Sequence, residues 1–463
     1  MDWGFCLMSF KKLMLGTAAG GGSGWILEYN PAFGANWANG SPVMSDDGTD
    51  DGNMYVAMGG GNDTDGVVVV KFDKDGTVLA DKRISASAYY MYYPQMAIDS
   101  SENLYLITTQ YIDGANRFGV IKLNSSLAIQ AQAYYGHSNI NCGNFHGIRA
   151  QGSNIHIATG FDTSSQRPTG VVLAQSTLNV SSSHGYASFN QQAARTIKHD
   201  SSGNIYVGGN FRGSSSGDRY LFYKFGTTFS SISMGREYVG HSGYLNDMDI
   251  DSSGNIYTVG FCELGYPNTR DNLVAKLNSS GTTQWTKSLR LQGDNNQNGF
   301  ISGQATQNGL AIKKTSEGPV TIHQDNKNVN SSYNDINISL WNDSNGSLTE
   351  SYGIACTSYQ WQESLRNGQM GALITDTHVY HHAKANGKNY ILKLPIKDGS
   401  ALYGDYTLNG VNFTINTNSA ADVDADDDFS SSTSTPSSRT VSKTTQSNWS
   451  ASAVSVTPNK LDL

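Results

Sequence analysis

A phrase that recurs about every 50 residues constrains this chain more than any other feature. Its two clearest copies read Asp-Ser-Ser-Gly-Asn-Ile-Tyr and begin at Asp200 and Asp251. Two fainter copies cover residues 314–322 and 373–380. Regular self-similarity of this kind predicts a repeat architecture, here with seven units. In the first five copies the aligned aromatic or His position falls at Tyr55, Tyr105, His156, Tyr206 and Tyr257, with successive gaps of 50, 51, 50 and 51 residues.

Each unit has the same internal order. An apolar strand leads into a polar turn, an alternating strand follows, and a third strand ends in a second turn such as residues 278–281, before a fourth strand such as 283–289. Gly accounts for 50 of the 463 residues and charged residues for only 15 %, which is typical of an all-β protein with many tight turns. Four antiparallel strands per unit describe a propeller blade. We therefore predict an all-β fold, a β-propeller of about seven four-stranded antiparallel blades.

The two ends differ in composition from the repeats. We divide the chain into an N-terminal arm with a Gly/Ser linker (1–24), the propeller (25–415) and a Ser/Thr/Asp-rich C-terminal tail (416–463). The arm resembles a secretory signal only faintly, because its apolar stretch is short and interrupted by Gly and Thr. The tail has too few apolar residues to order by itself, so we expect it to order only by docking on something else.

Two structural expectations follow from the strand patterns. Residues 25–29 have a strand-like pattern, and we expect them to close the ring by pairing in the last blade, beside or in place of a strand around 401–406. Because side chains alternate along a strand, Ile205 and Val207 should pack on one neighbouring blade and Tyr206 on the other.

The Asp-containing turns have two interpretations. A calcium loop needs more carboxylates at alternate positions and a distal Glu, whereas a tight turn uses Asp and Asn to bind nearby backbone N–H groups, and we favour the turn.

Two groups of His residues are open to a metal interpretation, although His381 and His382 should face opposite sides of a strand. The four Cys form no Cys-x-x-Cys pair. With no nucleophile elbow or phosphate-binding loop evident, we predict no catalytic residue, no metal, no cofactor and no enzymatic activity. The His groups are His137, His146 and His156, and His378, His381 and His382.

Charge and hydropathy exclude two classes of partner. The net charge is −8 with an isoelectric point near 5.6 and no basic patch, so nucleic-acid binding is not expected. No run of about 20 apolar residues is present, so membrane insertion is not expected either.

Clustered tyrosines are the candidate binding residues. They precede the first strand of one blade and recur at the equivalent place in the next, where they could stack on sugars or grip a protein. The alternative is that they fill the seams between blades. The residues are Tyr89, Tyr90, Tyr92, Tyr93, Tyr134 and Tyr135.

Three segments carry a resemblance to a known family. The Asp-Ser-Ser-Gly-Asn-Ile-Tyr-Val-Gly phrase resembles the SBBP-type β-propeller repeat and covers about residues 37–410. The opening 8–22, Met-Ser-Phe-Lys-Lys-Leu-Met-Leu-Gly-Thr-Ala-Ala-Gly-Gly-Gly, is similar to the start of virion proteins of marine tailed bacteriophages, including cyanophages. The phrase at 393–403, Lys-Leu-Pro-Ile-Lys-Asp-Gly-Ser-Ala-Leu-Tyr, is similar to the end of the last blade in that group. The turns of the sixth and seventh repeats depart from the pattern.

The resemblance implies a structural protein of the virion, in the tail or fibre apparatus, with a host-recognition or scaffolding role and no catalytic residues. Its partners would be other virion proteins, with the chain oligomeric within an assembly, and a host-surface glycan or protein. The alternatives are a secreted or cell-surface bacterial propeller that binds glycans or proteins and, more weakly, a polysaccharide hydrolase or lyase. We expect the two ends to attach the propeller to other subunits through large apolar anchors, namely Phe10, Leu13, Met14 and Leu15 at one end and Phe429 and Trp449 at the other.

Overall fold

Seven antiparallel sheets form a closed ring in the computed structural model of the chain. The first strand of each sheet contacts the first strand of the next, and the seventh returns to the first. The prediction of a seven-bladed β-propeller with four-stranded antiparallel blades is confirmed. The structure describes residues 24–30, 39–44, 52–59, 66–86, 91–112, 115–136, 142–161, 167–186, 191–212, 218–238, 242–262, 271–291, 307–327, 333–356, 372–385, 388–417, 420–424, 429–432, 436–438, 441–445, 449–454, 456 and 458–463.

The blades follow one another along the chain, each with its first strand next to the central axis. Blade one contains β2 (Asn39–Met44), β3 (Met54–Gly59), β4 (Val67–Phe72) and β5 (Val78–Ala86). Blade two contains β6 (Tyr92–Ile98), β7 (Leu104–Ile112), β8 (Ala115–Leu123) and β9 (Ile129–Gly136). Blade three contains β10 (Cys142–Gln151), β11 (Asn154–Phe161), β12 (Arg167–Ala174) and β13 (Val180–Tyr186). Blade four contains β14 (Gln191–His199), β15 (Ile205–Arg212), β16 (Asp218–Phe225) and β17 (Ile232–Tyr238).

The later blades recruit both ends of the chain. Blade five contains β18 (Gly243–Ile250), β19 (Ile256–Cys262), β20 (Asp271–Leu277) and β21 (Thr283–Leu291). Blade six contains β22 (Gln307–Lys314), β23 (Pro319–Lys327), β24 (Tyr333–Trp341) and β25 (Leu348–Cys356), and a hairpin of β29 (Gly404–Leu408) and β30 (Val411–Thr417) extends it. Blade seven contains β26 (Ala372–Ile374), β27 (His378–Ala385), β28 (Lys388–Pro395) and the N-terminal β1 (Trp25–Glu28). A short 3-10 helix, Gly399–Leu402, joins blade seven to the hairpin.

The N-terminal strand closes the ring, as predicted. β1 pairs antiparallel with β28, with Trp25 opposite Lys393 and Glu28 opposite Tyr390. The strand near residues 401–406 does not share that sheet: β29 pairs with β30 on the outside of blade six. A turn at Asn409 and Gly410, both with positive φ, folds β30 back onto β29.

The C-terminal tail forms a belt around the propeller. After β30 it supplies one outer strand to every remaining blade, and it visits the blades in descending order before it ends beside β1. Each belt strand pairs antiparallel with the fourth strand of its blade, so backbone hydrogen bonding holds it in place. The strands are β31 (Ala420–Asp424) on blade five, β32 (Phe429–Ser431) on blade four, β33 (Pro436–Ser438) on blade three, β34 (Ser442–Thr445) on blade two, β35 (Trp449–Ser452) on blade one and β36 (Asn459–Asp462) on blade seven.

The core lies in the seams between blades. Ile205 and Val207 pack in the cluster between blades three and four, while Tyr206 packs in the cluster between blades four and five. The predicted alternation is therefore confirmed. All three side chains are at least 95 % buried, because each strand has a neighbouring blade on both sides.

Candidate functional site

A repeated polar cluster organises the turn between the first and second strands of blades two, four and five. In blade four, Asp200 Oδ1 accepts the backbone N–H groups of Ser202 and Asn204 at 3.0 and 2.9 Å, and Oδ2 accepts the Asn204 side-chain amide at 2.8 Å. Burial alone would raise the pKa of Asp200, but hydrogen bonds from Asn204 and Lys224 outweigh it and lower the pKa. These carboxylate oxygens already accept protein donors, so the turn interpretation explains the Asp-Ser-Ser-Gly-Asn phrase.

The same cluster continues into the strands. The Tyr206 hydroxyl lies 3.4 Å from Asp200 Oδ2, and Lys224 Nζ lies 5.0 Å from the centre of the Tyr206 ring. Lys224 Nζ also forms an ion pair with Asp200 at 3.3 Å. The arrangement joins the turn to the second and third strands of the blade, so its function there is structural. Blades two and five repeat the tyrosine-to-turn bond and the lysine over the ring, with Asp99, Tyr105 and Lys122, and with Asp251, Tyr257 and Lys276.

Blade three departs from the cluster at all three positions. Gln151, at the end of its first strand, follows Ala150 as Asp200 follows His199 in blade four, but the connection to the second strand is one residue shorter. The second strand has His156 at the Tyr position. The residue opposite His156 is Val172, whereas Tyr206 is opposite Lys224. Blade three therefore lacks the carboxylate, the phenol and the ammonium together.

A histidine pair, His156 buried and His199 half-buried, lies in the seam beside this departure. His156 Nδ1 lies 3.0 Å from His199 Nε2. Burial lowers the pKa of His156 to about 4, and burial together with the neighbouring His156 and Arg149 lowers the pKa of His199 to about 3. Both imidazoles are consequently neutral near pH 7, and one nitrogen of the pair donates to the other.

A cavity of about 460 Å³ opens above the divergent turn, on the face of the propeller that carries the Asp-containing turns. Its walls are the turns of blades two and four and the ends of the first strands of blades three, four and five. Gln151 lies on blade three, and its Oε1 is buried without a hydrogen-bond partner among the described residues. The other charged, amide and imidazole side chains that line the cavity are Asp99, Arg149, Gln175, Lys198, His199, Asp200 and Asp249.

The charges around the cavity are close to balanced. Arg149 and Lys198 contribute positive charge, and Lys198 Nζ forms an ion pair with Asp247 at 3.2 Å. Asp249 Oδ2 accepts the Lys314 backbone N–H at 2.8 Å. Burial raises the pKa of Asp249, with the nearby Asp247 adding to the rise, while Lys198 and the Lys314 N–H oppose it. The cavity therefore presents acidic side chains, Asp99, Asp200 and Asp249, together with the basic side chains of Arg149 and Lys198.

The tyrosines predicted as binding residues lie in different environments. Tyr135 is buried, stacks on Phe118 with ring centres 5.0 Å apart, and donates its hydroxyl to the Leu178 carbonyl at 2.6 Å. It fills a seam between blades, which is the alternative interpretation, while Tyr134 next to it is half-buried on β9. Tyr89 and Tyr90 lie outside the described residues, and Tyr92 and Tyr93 are described only as the start of β6.

Of the residues expected to attach the propeller to other subunits, the two C-terminal ones are described by the structure and the four N-terminal ones are not. Trp449 is only 4 % exposed and belongs to the core cluster between blades one and two. Phe429 packs against the rings of Tyr220 and Tyr238. Both side chains thus contact this chain's own propeller, and their expected role in attachment to another subunit stays a prediction. The N-terminal anchors Phe10, Leu13, Met14 and Leu15 lie outside the described residues.

Sequence reasoning did not identify the cavity. The signal was present, because the blade-three copy of the phrase reads Gly-Ser-Asn-Ile-His and lacks both the Asp and the Tyr. Among the described residues no group of three or more His, Cys, Asp or Glu side chains is placed to hold a metal ion. Within the same part of the chain, no helix has the length and apolar character needed to cross a membrane.

The fold and the site define the chain as a seven-bladed β-propeller with a peripheral C-terminal belt. No family model matches it, and no curated protein matches it. Among solved structures it is similar to a subtype N10 neuraminidase-like protein of A/little yellow-shouldered bat/Guatemala/060/2010, at 8 % identity over 67 % of this chain and 98 % of that one, with a TM-score of 0.40. It is also similar to a quinohemoprotein alcohol dehydrogenase from Comamonas testosteroni, at 11 % identity over 81 % and 76 % with a TM-score of 0.40. The WD40 domain of SCAP from fission yeast matches at 10 % identity over 86 % and 94 %, with a TM-score of 0.35.

Proposed function

We propose that this chain is a non-enzymatic structural protein of a bacteriophage virion, in the tail or fibre apparatus, where it acts in host-surface recognition or as a scaffold. The proposal starts from the sequence resemblance at both ends of the chain. Its partners would be other virion proteins and a host-surface glycan or protein.

The belt is the observation that best supports this role. A virion component must stay folded outside the cell, where its working stability is set by how slowly it unfolds. Here the N-terminal strand closes blade seven and the C-terminal strands cover the outer edge of the blades. Opening one blade therefore also disturbs the belt that crosses its neighbours.

The belt also limits association through strand edges. Long exposed edges invite pairing with other chains, and very short edge strands are one of the ways in which proteins avoid it. The belt strands on blades three and four have three residues each. An assembly component of this shape would meet its partners through its two faces rather than through its rim.

Particle composition tests the proposal directly. Gradient-purified particles should contain this chain in fixed ratio to tail proteins by quantitative mass spectrometry, and antibodies against the propeller should label the tail in electron micrographs. Particles that lack the chain would overturn the proposal. A chain recovered from the medium of uninfected bacteria with a cleaved N-terminus would favour the secreted propeller instead, and release of reducing ends from host polysaccharide would favour the hydrolase or lyase.

A further inference from the structure

A buried carboxylate lies where the N-terminal strand closes blade seven. Glu28, the last residue of β1, is paired with Tyr390 of β28, and its side chain is only 6 % exposed. Asn30 and Lys388 come next on the same face of this ladder, because every second side chain of a strand points the same way. The closing sheet therefore brings a carboxylate, a carboxamide and an amine together on one face.

These three groups are in direct contact. Glu28 Oε1 accepts the Asn30 side-chain amide at 2.7 Å and lies 3.2 Å from Lys388 Nζ. Glu28 Oε2 lies 3.3 Å from the same amine. One carboxylate thus bridges the amine and the carboxamide, so it can take a proton from the first and give one to the nitrogen of the second.

The Asn30 carboxamide is held at both of its ends. Its Nδ2 donates to Glu28, and its Oδ1 accepts the backbone N–H of Asn389 at 2.7 Å. A backbone N–H at a carbonyl oxygen stabilises the negative charge that develops there when a nucleophile adds to the carbonyl carbon. The contacts therefore orient this amide and polarise it for attack by the neighbouring amine.

Other side chains fix the carboxylate and shield it. Asn409 Nδ2 and the Tyr390 hydroxyl donate to Glu28 Oε2 at 3.0 and 3.4 Å. The buried Tyr390 ring packs edge-on against Phe413, with ring centres 5.2 Å apart, and keeps water from that side of the cluster. Of the two carboxamides on Glu28, Asn30 is half-buried and Asn409 is exposed, so water competes less at Asn30.

We propose that Lys388 and Asn30 become joined by an intramolecular isopeptide bond, which the chain forms by itself with Glu28 as the catalytic base and acid. Glu28 accepts a proton from the Lys388 ammonium, and the freed Nζ attacks the Asn30 side-chain carbonyl carbon. Glu28 then gives its proton to Nδ2 as it takes a second one from Nζ. The Cγ–Nδ2 bond breaks, ammonia leaves, and the proton held by Glu28 converts it to ammonium.

The bond ties β1 to β28 at one end of their ladder. It encloses residues 30–388, which include all four core strands of blades one to six. A cross-link between such distant positions restricts the unfolded chain, and it keeps the N-terminal strand tethered whenever blade seven loosens. The reaction exchanges one amide for another and consumes no oxidant or reductant.

Mass spectrometry of the full chain tests the proposal. We expect the denatured chain to be lighter than its sequence by the mass of one ammonia. Trypsin should leave the peptides that contain Asn30 and Lys388 joined, because an acylated lysine is not cleaved, and fragmentation should place the link between these two residues. The unreduced mass of the sequence in the folded chain would overturn the proposal. A deficit traced to a cyclised asparagine, or a link to Asn409, would also refute the assignment.

Three variants and a control assign the roles. Lys388→Arg keeps the positive charge without the nucleophilic amine, and Asn30→Ala removes the carbonyl carbon that is attacked, so neither should form the link. Glu28→Gln keeps the size of the side chain without the proton relay and should slow the reaction by at least about a hundredfold. Lys397→Arg is the matched control: its Nζ lies 2.9 Å from the Glu317 carboxylate in an exposed ion pair, and the change should leave the link intact.

A refolding time course separates the chemistry from the fold. Chain isolated in denaturant before it has folded should have its full mass and should lose ammonia only after dilution into native buffer, because the three groups meet only in the closed sheet. A link that forms equally well in denaturant would contradict the role of the fold. Glu28→Gln that regains native circular dichroism and forms the link at the wild-type rate would refute the role of Glu28, and the wild-type time course decides the outcome if that variant does not fold.

Discussion

Replacing Trp449 with Ala should detach the belt from blade one. The indole is 4 % exposed and lies in the seam between blades one and two, where it packs over Gly119. The packing is close: a Cβ added at Gly119 would lie 2.6 Å from Trp449 Cη2. On the backbone, β35 pairs with β5 over four residues, with Trp449 opposite Ala86.

The size of the effect follows from the buried area. A Trp side chain buries up to about 250 Å², which at about 25 cal/mol/Å² corresponds to about 6 kcal/mol. Substitutions of buried Trp by Ala typically cost about 3–5 kcal/mol, because neighbours partly relax into the space. We expect the free energy of unfolding to fall by an amount in this range. If β35 detaches before the propeller unfolds, the loss is smaller and equals the free energy that holds β35 on blade one.

Two measurements separate global from local loss. Guanidinium unfolding gives the change in global stability, and trypsin cleavage at Lys443, in the adjacent belt strand β34, reports opening of the belt. Local detachment predicts faster cleavage at Lys443 with only a modest change in the unfolding midpoint. Destabilisation of the whole propeller predicts faster cleavage at Lys443 together with a clearly lower unfolding midpoint.

Two control variants sharpen the test. Ser450→Ala changes the exposed neighbour and should alter stability by no more than about 0.5 kcal/mol. Trp449→Phe keeps most of the ring and removes an indole N–H that has no acceptor among the described residues, so it should cost much less than Trp449→Ala. If Trp449→Ala matches Ser450→Ala in both stability and cleavage rate, the belt is not anchored by this side chain and the reasoning is refuted.

Three further predictions concern the repeat and its buried groups. Ile256→Ala, in a fully buried strand position, should lower the free energy of unfolding by about 2–4 kcal/mol in denaturant titrations; a loss well under 1 kcal/mol would contradict it. Asp200→Ala should cost about 1–3 kcal/mol because two turn N–H groups lose their acceptor, and an unchanged midpoint would show that the turn does not need the carboxylate. Burial lowers the pKa of His323 to about 3, below its value of about 6.5 in the unfolded chain, so its contribution to stability is present above pH 6.5 and falls as the pH drops toward 3. His323→Gln should therefore show a shallower loss of stability between pH 6.5 and 4, and an identical pH slope would count against the assignment.

The propeller could be predicted from the sequence because the residue patterns that specify each blade recur at a regular interval. Most blades carry an Asp-containing turn followed by an alternating strand, and in the first five copies this pattern repeats at intervals of 50 or 51 residues. Closure by β1 was predictable for a related reason, since Trp25, Ile26 and Leu27 are all apolar and a strand buried on both sides requires that pattern.

The belt could not be predicted from side-chain patterns. A strand such as β33 (Pro436–Ser438) contains no large apolar residue and pairs with β13 through backbone groups, which every residue type carries. Low hydrophobicity predicts that the tail orders only by docking, and in the structure its strands pair with this chain's own propeller. The aromatic anchors Phe429 and Trp449 were visible in the sequence, and only the structure shows which surface they contact.

The path of the belt makes closure of the ring depend on both ends of the chain. Because the belt runs from blade six down to blade one and then reaches blade seven, its last strand, β36, pairs with β1, whose other edge pairs with β28. The Leu463 backbone N–H donates to the Gly24 carbonyl at 2.9 Å, so the two ends of the described chain meet in one sheet. A blade completed by residues hundreds of positions apart forms only after the intervening blades have brought those residues together, since non-local contacts require loop closure first. Blade seven should therefore be the last blade to form, and losing β36 should open the ring at that blade before any other.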